Sequence, residues 1–274
     1  MTYRVLALDL DGTTLTSDHQ IIPAVREAIQ QLRSQIMVLL VTGRHHTAAR
    51  PYYYELGLDT PIISCNGTYI YDYQTNRVLA ENAIPQDIGM QFLQLAKQHD
   101  LNLVVYVTDR MTLSAQKPIA YMAALEQWAE QCPEAVRPQI LRVESFEDEV
   151  KNSQYLWKFV VEGDIEKITS FSQLNWVQEH FTGEQSWHNR IDFSRKGNTK
   201  GARLQEYLAQ HNILLSEVIA IGDNHNDISM IQAAGLGVAM ANAEDAVKAI
   251  ADQVTKEGNN GQGILDILQQ YFGV

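Results

Sequence analysis

The sequence predicts an α/β fold: a parallel sheet covered on both faces, interrupted by an inserted α+β domain. Three observations carry this. Short apolar runs alternate with amphipathic stretches through the first third of the chain, and the same texture returns in the last third. The middle breaks it, with strands that alternate more strongly and with longer helical stretches. At 274 residues the chain has room for one large domain or two smaller ones.

Taken in order, Arg4–Leu10 reads as a buried strand. Pro23–Arg33 carries Val25, Ala28, Ile29 and Leu32 at helical spacing, with Pro23 suited to a first turn. Ile36–Val41 is a second buried strand, His45–Leu56 a helix ending at Gly57, and Pro61–Cys65 a third strand. Strand–helix–strand–helix–strand implies a parallel sheet. In the middle, Gln86–His99 and Ile119–Gln131 are helical and Asn102–Val107 and Tyr155–Val161 are strands. The last third gives a helix over Thr199–His211, a strand over Glu217–Ile221 and a helix over Asp227–Ala234. A strand over Leu236–Met240 and helices over Ala243–Ala251 and Gln262–Phe272 follow. The expected division is 1–82 and 191–274 for the core and 83–190 for the insertion.

Composition narrows the function. Hydrophobic residues make up 45% and charged residues 20%, which suits a globular chain and not a disordered one. The longest clean apolar run, Ile36–Val41, is far short of the roughly 20 residues of a membrane helix. Asp9 and Asp11 interrupt the first apolar stretch, so it does not read as a signal peptide. Two distant cysteines, Cys65 and Cys132, make neither a disulfide framework nor a structural zinc site, and the expected setting is a reducing cytoplasm. The net charge of −12 and the lack of a basic stripe argue against a nucleic-acid partner. An anionic substrate would need positive charge supplied locally.

Chemistry concentrates at predicted strand ends. Asp9 and Asp11 sit two apart where the first strand stops, before Gly12, and ligands of open parallel sheets bind outside the carboxyl ends of strands. Two acids there favour a hard cation such as Mg²⁺ between them, though an ordinary polar turn has the same residues. Thr42-Gly43-Arg44 follows the second strand and offers a hydroxyl, backbone N–H groups and a cation to a phosphate. Asn66-Gly67 follows the third strand and is equally a hairpin turn. Gly222-Asp223-Asn224-His225-Asn226-Asp227 follows a later strand and can supply a metal ligand and a helix cap together. Lys200 lies near a helix start, where a lone lysine is usually solvated.

This ordered set resembles the haloacid dehalogenase superfamily of phosphatases. Asp9-Leu10-Asp11-Gly12-Thr13 is similar to its first motif and Thr42-Gly43-Arg44 to its second. Lys200 matches its third, and Gly222-Asp223 with Asn226-Asp227 its fourth. Thr14 stands where leucine commonly follows. The long insertion is similar to the α/β cap of the Cof-type subfamily. Wider stretches resemble the phosphatases of this group that act on pyridoxal phosphate: Val41–His46, Cys65–Tyr69, Ser186-Trp187-His188 and Gly222–Met230.

The resemblance implies a Rossmann-like parallel-sheet core with an inserted α+β cap, and hydrolysis of a phosphate monoester through an aspartyl phosphate. Asp9 would be the nucleophile, kept ionised, and Asp11 the acid and base, protonated at the start. Mg²⁺ would sit on Asp9, Asp223 and the backbone carbonyl of Asp11. Lys200, Thr42, Gly43, the N–H groups near Leu10, and Asn226 would hold the phosphoryl group. Asp227 would orient Lys200, and Arg44 would support the site. His45, His46, Trp187, His188 and Arg190 are candidates for reading the leaving group, although Trp187 fits packing better than stacking, and the two histidines can simply open a helix. Tyr52, Tyr53 and Tyr54 cannot all face one side of a helix. The implied partner is a small-molecule phosphoester, pyridoxal 5′-phosphate first, with a sugar phosphate or a phosphomutase reaction as alternatives. A binding module without turnover would have lost Asp9 or Asp11, and both are present.

Overall fold

A computed structural model describes residues 3–117 and 119–274. The chain forms two compact units. The first takes the chain up to Arg44, then Tyr52–Ala80 and Thr199–Val274. The second comprises His45–Pro51 and Glu81–Asn198.

The first unit is built on a five-stranded sheet. Its order is Gln253–Val254, Leu236–Ala239, Val218–Gly222, Val5–Leu8 and Met37–Leu40, and the pairings are parallel. Val5–Leu8 is wholly buried and paired on both sides, which is why it reads as an unbroken apolar run. The chain winds from this strand to Met37–Leu40 on one side and returns later to Val218–Gly222 on the other. The order reverses there, and such a reversal opens a crevice at the carboxyl ends of the two strands. The helix Pro23–Leu32 begins on proline and buries Val25, Ala28, Ile29 and Leu32, the four positions its spacing singles out.

The third expected strand differs from its reading. Ile62–Ser64 touches the parallel sheet through a single bridge, Val41 to Ile63, and pairs antiparallel with Tyr69–Asp72 in a separate three-stranded sheet with Arg77–Glu81. The hairpin reading of Asn66-Gly67 therefore holds locally. Cys65, Asn66 and Gly67 all have positive φ, and a Cβ at Gly67 would stand 2.2 Å from the Thr199 carbonyl oxygen. The expected helix over Ala243–Ala251 shrinks to Asp245–Lys248, because the chain must turn into the edge strand Gln253–Val254. The helix after Asp223 starts as a 3₁₀ turn, His225–Asp227, before Ile228–Ala233.

The second unit holds a six-stranded sheet. Its order is Phe181–Trp187, Arg190–Arg195, Leu156–Glu162, Asn102–Val107, Arg110–Ser114 and Ile140–Val143. It is antiparallel except for the last pair. Strand alternation sends Val105, Val107, Phe159, Val161, Ile191 and Phe193 to one face, where they meet Phe92, Ile168, Phe171 and Val177 of the helices. Phe92 stacks on Phe159 with centroids 4.2 Å apart. Because Arg190–Arg195 pairs within this sheet, the unit ends at Asn198 and not at 190. Among the described residues no helix is long and apolar enough to cross a membrane.

Candidate active site

The crevice of the first unit gathers side chains from four separated loops. Asp9 follows the strand Val5–Leu8 and its backbone N–H continues the ladder to Ile221. Lys200 opens the helix Lys200–Gln210, whose N-cap Thr199 accepts from the Ala202 N–H. Its Nζ lies 2.6 Å from Asp9 Oδ1 and 2.6 Å from Asp227 Oδ1, and the side chain is wholly buried. This lysine is thus no surface charge. Burial alone would lower its pKa, but Asp227 and Asp9 together raise it, so it stays a fixed cation.

Asp227 is fully committed. One oxygen takes Lys200, and the other accepts from the backbone N–H groups of Asp223 and Asn224. Among the described residues Asp223 is engaged at one oxygen, by the Thr13 hydroxyl at 2.8 Å. Gly12, with φ of +77°, leaves the space around that carboxylate: a Cβ there would lie 2.2 Å from Asp223 Oδ2. Asn242 Nδ2 donates to the Gly12 carbonyl at 2.8 Å, and Asn242 Oδ1 accepts from the Asn259 N–H. Asn259 Nδ2 reaches the Leu15 carbonyl, and Asn260 bonds Ser17 twice. These asparagines brace the loop that carries Asp11. Sequence patterning missed them, since Asn and Gly in a late loop read as a plain turn.

These residues fit a hard divalent cation. Oxygens of Asp9, Asp223 and Asp227 come within 4.8 Å of one another. Asp227 has both of its oxygens engaged, whereas Asp9 Oδ2 and Asp223 Oδ2 accept no hydrogen bond among the described residues. Burial pushes the Asp9 carboxyl well above its usual range against the pull of Lys200, and Asp227 and Asp223 add to the rise. Burial, then the Asp227 carboxylate, pushes Asp223 up to about 7. An all-oxygen donor set whose negative charge is costly suits a cation of the Mg²⁺ kind.

Asp11 is paired with a cation from the second motif. Its half-exposed carboxylate is gripped by Arg44, with Nε 2.7 Å from Oδ2 and Nη2 2.6 Å from Oδ1. Desolvation acts to raise its pKa, but the Arg44 guanidinium outweighs that and holds the carboxyl well below the usual range. With no metal cation beside Asp9, Arg44 favours the ionised form of Asp11 and burial favours the protonated form of Asp9. For Asp11 the fork-on-fork pairing with Arg44 is the reason.

The second motif lies beside this pair. Thr42 N–H donates to Ile63 and Asn66 N–H to the Thr42 carbonyl, which joins this loop to the hairpin turn. Thr42 Oγ1 accepts from the Arg44 N–H. A Cβ at Gly43 would sit 2.8 Å from Asn66 Oδ1, and that same oxygen accepts from Asn226 Nδ2 at 3.1 Å. The buried Asn226 Oδ1 has no partner among the described residues. The Leu10 backbone N–H makes no hydrogen bond among them either, while its carbonyl accepts from Thr13 and Leu15. Asn66 was legible as a turn residue; its reach across to Gly43 and Asn226 was not.

The other specificity candidates lie in the second unit. His45 and His46 are buried there, with rings 4.4 Å apart. Thr47 N–H donates to His45 Nδ1, so Nε2 carries the hydrogen and donates to the Val107 carbonyl at 2.9 Å. Burial pushes His45 down to about 3, more than the Val107 bond offsets, and burial with His45 beside it holds His46 well below its usual range. Both are enclosed, and their surroundings favour the neutral form. Trp187 is corrected in the other direction: it is 61% exposed and does not serve as packing. His188 is exposed and Arg190 half-buried. Of the three tyrosines, Tyr54 is the exposed one, at 49%.

Comparison with known proteins agrees with this geometry. The model of the haloacid dehalogenase-like hydrolase family matches residues 6–268. The pyridoxal phosphate phosphatase of Escherichia coli strain K12 is 40% identical over 99% of this chain and 98% of its own length. A 5-amino-6-(5-phospho-D-ribitylamino)uracil phosphatase of Bacillus subtilis strain 168 is 27% identical over 98% of each. The crystal structure of a haloacid dehalogenase-like hydrolase from Bacteroides thetaiotaomicron superposes with a TM-score of 0.85 at 26% identity, covering 99% of this chain and 100% of that one. With its paired aspartates, buried lysine and switch-point crevice in the order the family requires, the chain belongs to the haloacid dehalogenase-like hydrolases.

Proposed function

We propose that this protein is a Mg²⁺-dependent phosphoric monoester hydrolase acting on pyridoxal 5′-phosphate. The observation that carries the chemistry is the Asp9–Lys200–Asp227 chain beside Asp223, which leaves one oxygen on Asp9 and one on Asp223 without a hydrogen bond among the described residues. The 40% identity to the E. coli pyridoxal phosphate phosphatase supports the substrate.

Asp9 and Asp223, with the Asp11 backbone carbonyl, would hold Mg²⁺, which supplies positive charge to the phosphoryl oxygens. Asp9 attacks phosphorus, and its carboxylate–phosphorus bond forms as the ester bond breaks. Asp11 gives a proton to the departing alcohol oxygen. It then takes one from the water that cleaves the aspartyl phosphate and restores Asp9. To carry that proton Asp11 must first release Arg44, and an arriving phosphoryl anion competes for the same guanidinium. Lys200, the Thr42 hydroxyl, the backbone N–H groups of Leu10 and Gly43, and the Asn226 side chain meet the charge spread over the transferring group. Asp227 holds Lys200 in place for this.

The test is turnover across phosphorylated metabolites, with Asp9→Asn as its control. Pyridoxal phosphate should give a higher kcat/KM than simple hexose phosphates, and Asp9→Asn should release no phosphate from either. Hexose phosphates turned over more efficiently would make the protein a sugar phosphatase. Phosphate release by Asp9→Asn near the wild-type rate would remove the nucleophile assignment.

A further inference from the structure

The three-stranded sheet ends on a strand with no neighbour on its outer side. Its order is Ile62–Ser64, Tyr69–Asp72 and Arg77–Glu81, and the last of these is the edge. None of the backbone groups of Arg77–Glu81 hydrogen-bonds outside that sheet among the described residues. An open edge is a template for another strand, and chains ordinarily blunt it with proline or with charged side chains. This edge carries no proline, and its two charges, Arg77 and Glu81, are of opposite sign at its two ends.

Exposure alternates along the strand, with Arg77, Leu79 and Glu81 open to solvent and Val78 and Ala80 half-buried. Leu79, at the centre, is 51% exposed. The Arg77 side chain makes no ion pair or hydrogen bond among the described residues, and the Glu81 carboxylate accepts from the Ala83 N–H. From end to end the strand is a cation, three apolar residues and an anion, so turned end for end it complements itself. An antiparallel copy centred on Leu79 sets Arg77 opposite Glu81 at both ends and Leu79 opposite Leu79, with all six side chains on one face. A parallel copy would set Arg77 against Arg77 and Glu81 against Glu81, and like charges directly opposite are destabilising. An antiparallel copy slipped by two residues loses both ion pairs and puts leucine against a charge. The chain as a whole carries −12, which opposes the association of two copies. A surface for a second copy must therefore bring its own opposite charges, and this strand does.

We propose that this edge is a docking surface for a second copy of the chain. Antiparallel pairing of Arg77–Glu81 about Leu79 joins two three-stranded sheets into one of six strands. The two-fold axis makes the interface isologous, so the Arg77–Glu81 pair occurs twice. Main-chain hydrogen bonds supply the attraction common to any strand addition, while Arg77, Leu79 and Glu81 select the partner and the register. Each copy contributes one short strand, so the dimer is of the weak, reversible class, with a dissociation constant of about 10⁻⁵–10⁻³ M. None of these residues takes part in the crevice chemistry, so the dimer stands or falls independently of the proposed reaction.

The experiment is sedimentation equilibrium of the full-length protein up to about 1 mM, where a dimer of this class is populated. A wild type that stays monomeric throughout overturns the proposal. Arg77→Glu and Glu81→Arg each put like charges opposite at both ends, and each should raise the dissociation constant by about tenfold or more. The double exchange Arg77→Glu, Glu81→Arg restores opposite charges and should return it to the wild-type value. Dimerisation untouched by either single change places the contact elsewhere, and a double variant as weak as the singles removes the Arg77–Glu81 pairing. Leu79→Cys checks the register. Opposed residues of an antiparallel pair have Cα atoms about 4.5–5.5 Å apart, within disulfide range. Mild oxidation should cross-link Leu79→Cys into a dimer and leave Leu214→Cys, another exposed position, monomeric. The native Cys65 and Cys132 are buried in both. Equal cross-linking of the two variants overturns the proposal. Thermal unfolding checks that each variant is folded. If Glu81→Arg is not, Arg77→Glu and the Leu79→Cys cross-link decide by the same criteria.

Discussion

Lys200 and Asp9 stand 191 positions apart in sequence and 2.6 Å apart in space. Removing the lysine leaves two carboxylates buried without their counter-charge, and uncompensated buried charges cost about 3–5 kcal/mol. Lys200→Ala should therefore lower both stability and rate, the latter by on the order of 10²–10³, as for loss of one oxyanion donor. Thermal unfolding and single-turnover phosphate release check the two effects. A variant with the wild-type rate would return Lys200 to a purely structural role. The neighbouring acids could be read from their pairing at a strand end, but their protonation could not. Arg44 sets it for Asp11, while burial and the crowding of three carboxylates set it for Asp9 and Asp223.

Among the elements, strands and long helices stood where their patterns put them, and loops did not declare their partners. The alternation expected along Asn102–Val107 gives way to a continuous apolar run buried from Leu103 to Val107, of which Leu103, Val105 and Val107 join the aromatic cluster. The turn at residues 65–68 reads as a hairpin and is one. Its other duty comes from Arg203, whose guanidinium binds the Gly67 and Thr68 carbonyls from a different helix. The asparagine loops are a similar case, because their hydrogen bonds reach chain segments more than 200 residues away. Asn242→Ala removes the bond to Gly12 and the acceptor for Asn259, a change of about 0.5–1.5 kcal/mol per bond. Under the proposed Mg²⁺ site the larger consequence would fall on the metal, since outer partners of ligands tune affinity by roughly 10–100-fold. Half-maximal activation by Mg²⁺ should shift to roughly tenfold higher concentration with KM for substrate little changed. An unchanged Mg²⁺ requirement would leave Asn242 a brace for the loop alone.

Across the whole molecule, the acid cluster links stability to pH and to metal. Asp9 and Asp223 have raised pKa values when folded, so the folded protein holds protons that the unfolded chain releases near pH 4. Their favourable contribution is present below about pH 4 and lost as pH rises through about 7 for Asp223. Under the proposed function, Mg²⁺ would bind the ionised carboxylates and compete with those protons. The gain in Tm on adding Mg²⁺ should accordingly be larger at pH 8 than at pH 6, and the reverse order would place the cation elsewhere. The sequence by itself determined the parallel-sheet core, the paired acids at its first strand end and the order of the motifs. Those are properties of apolar periodicity and of residues adjacent along the chain. Tertiary structure decided that Lys200 is buried between two carboxylates, that Asp11 belongs to Arg44, and that His45 and His46 are enclosed. Ionisation and exposure depend on which distant charges and apolar surfaces are brought together and stripped of water, and no local pattern encodes that.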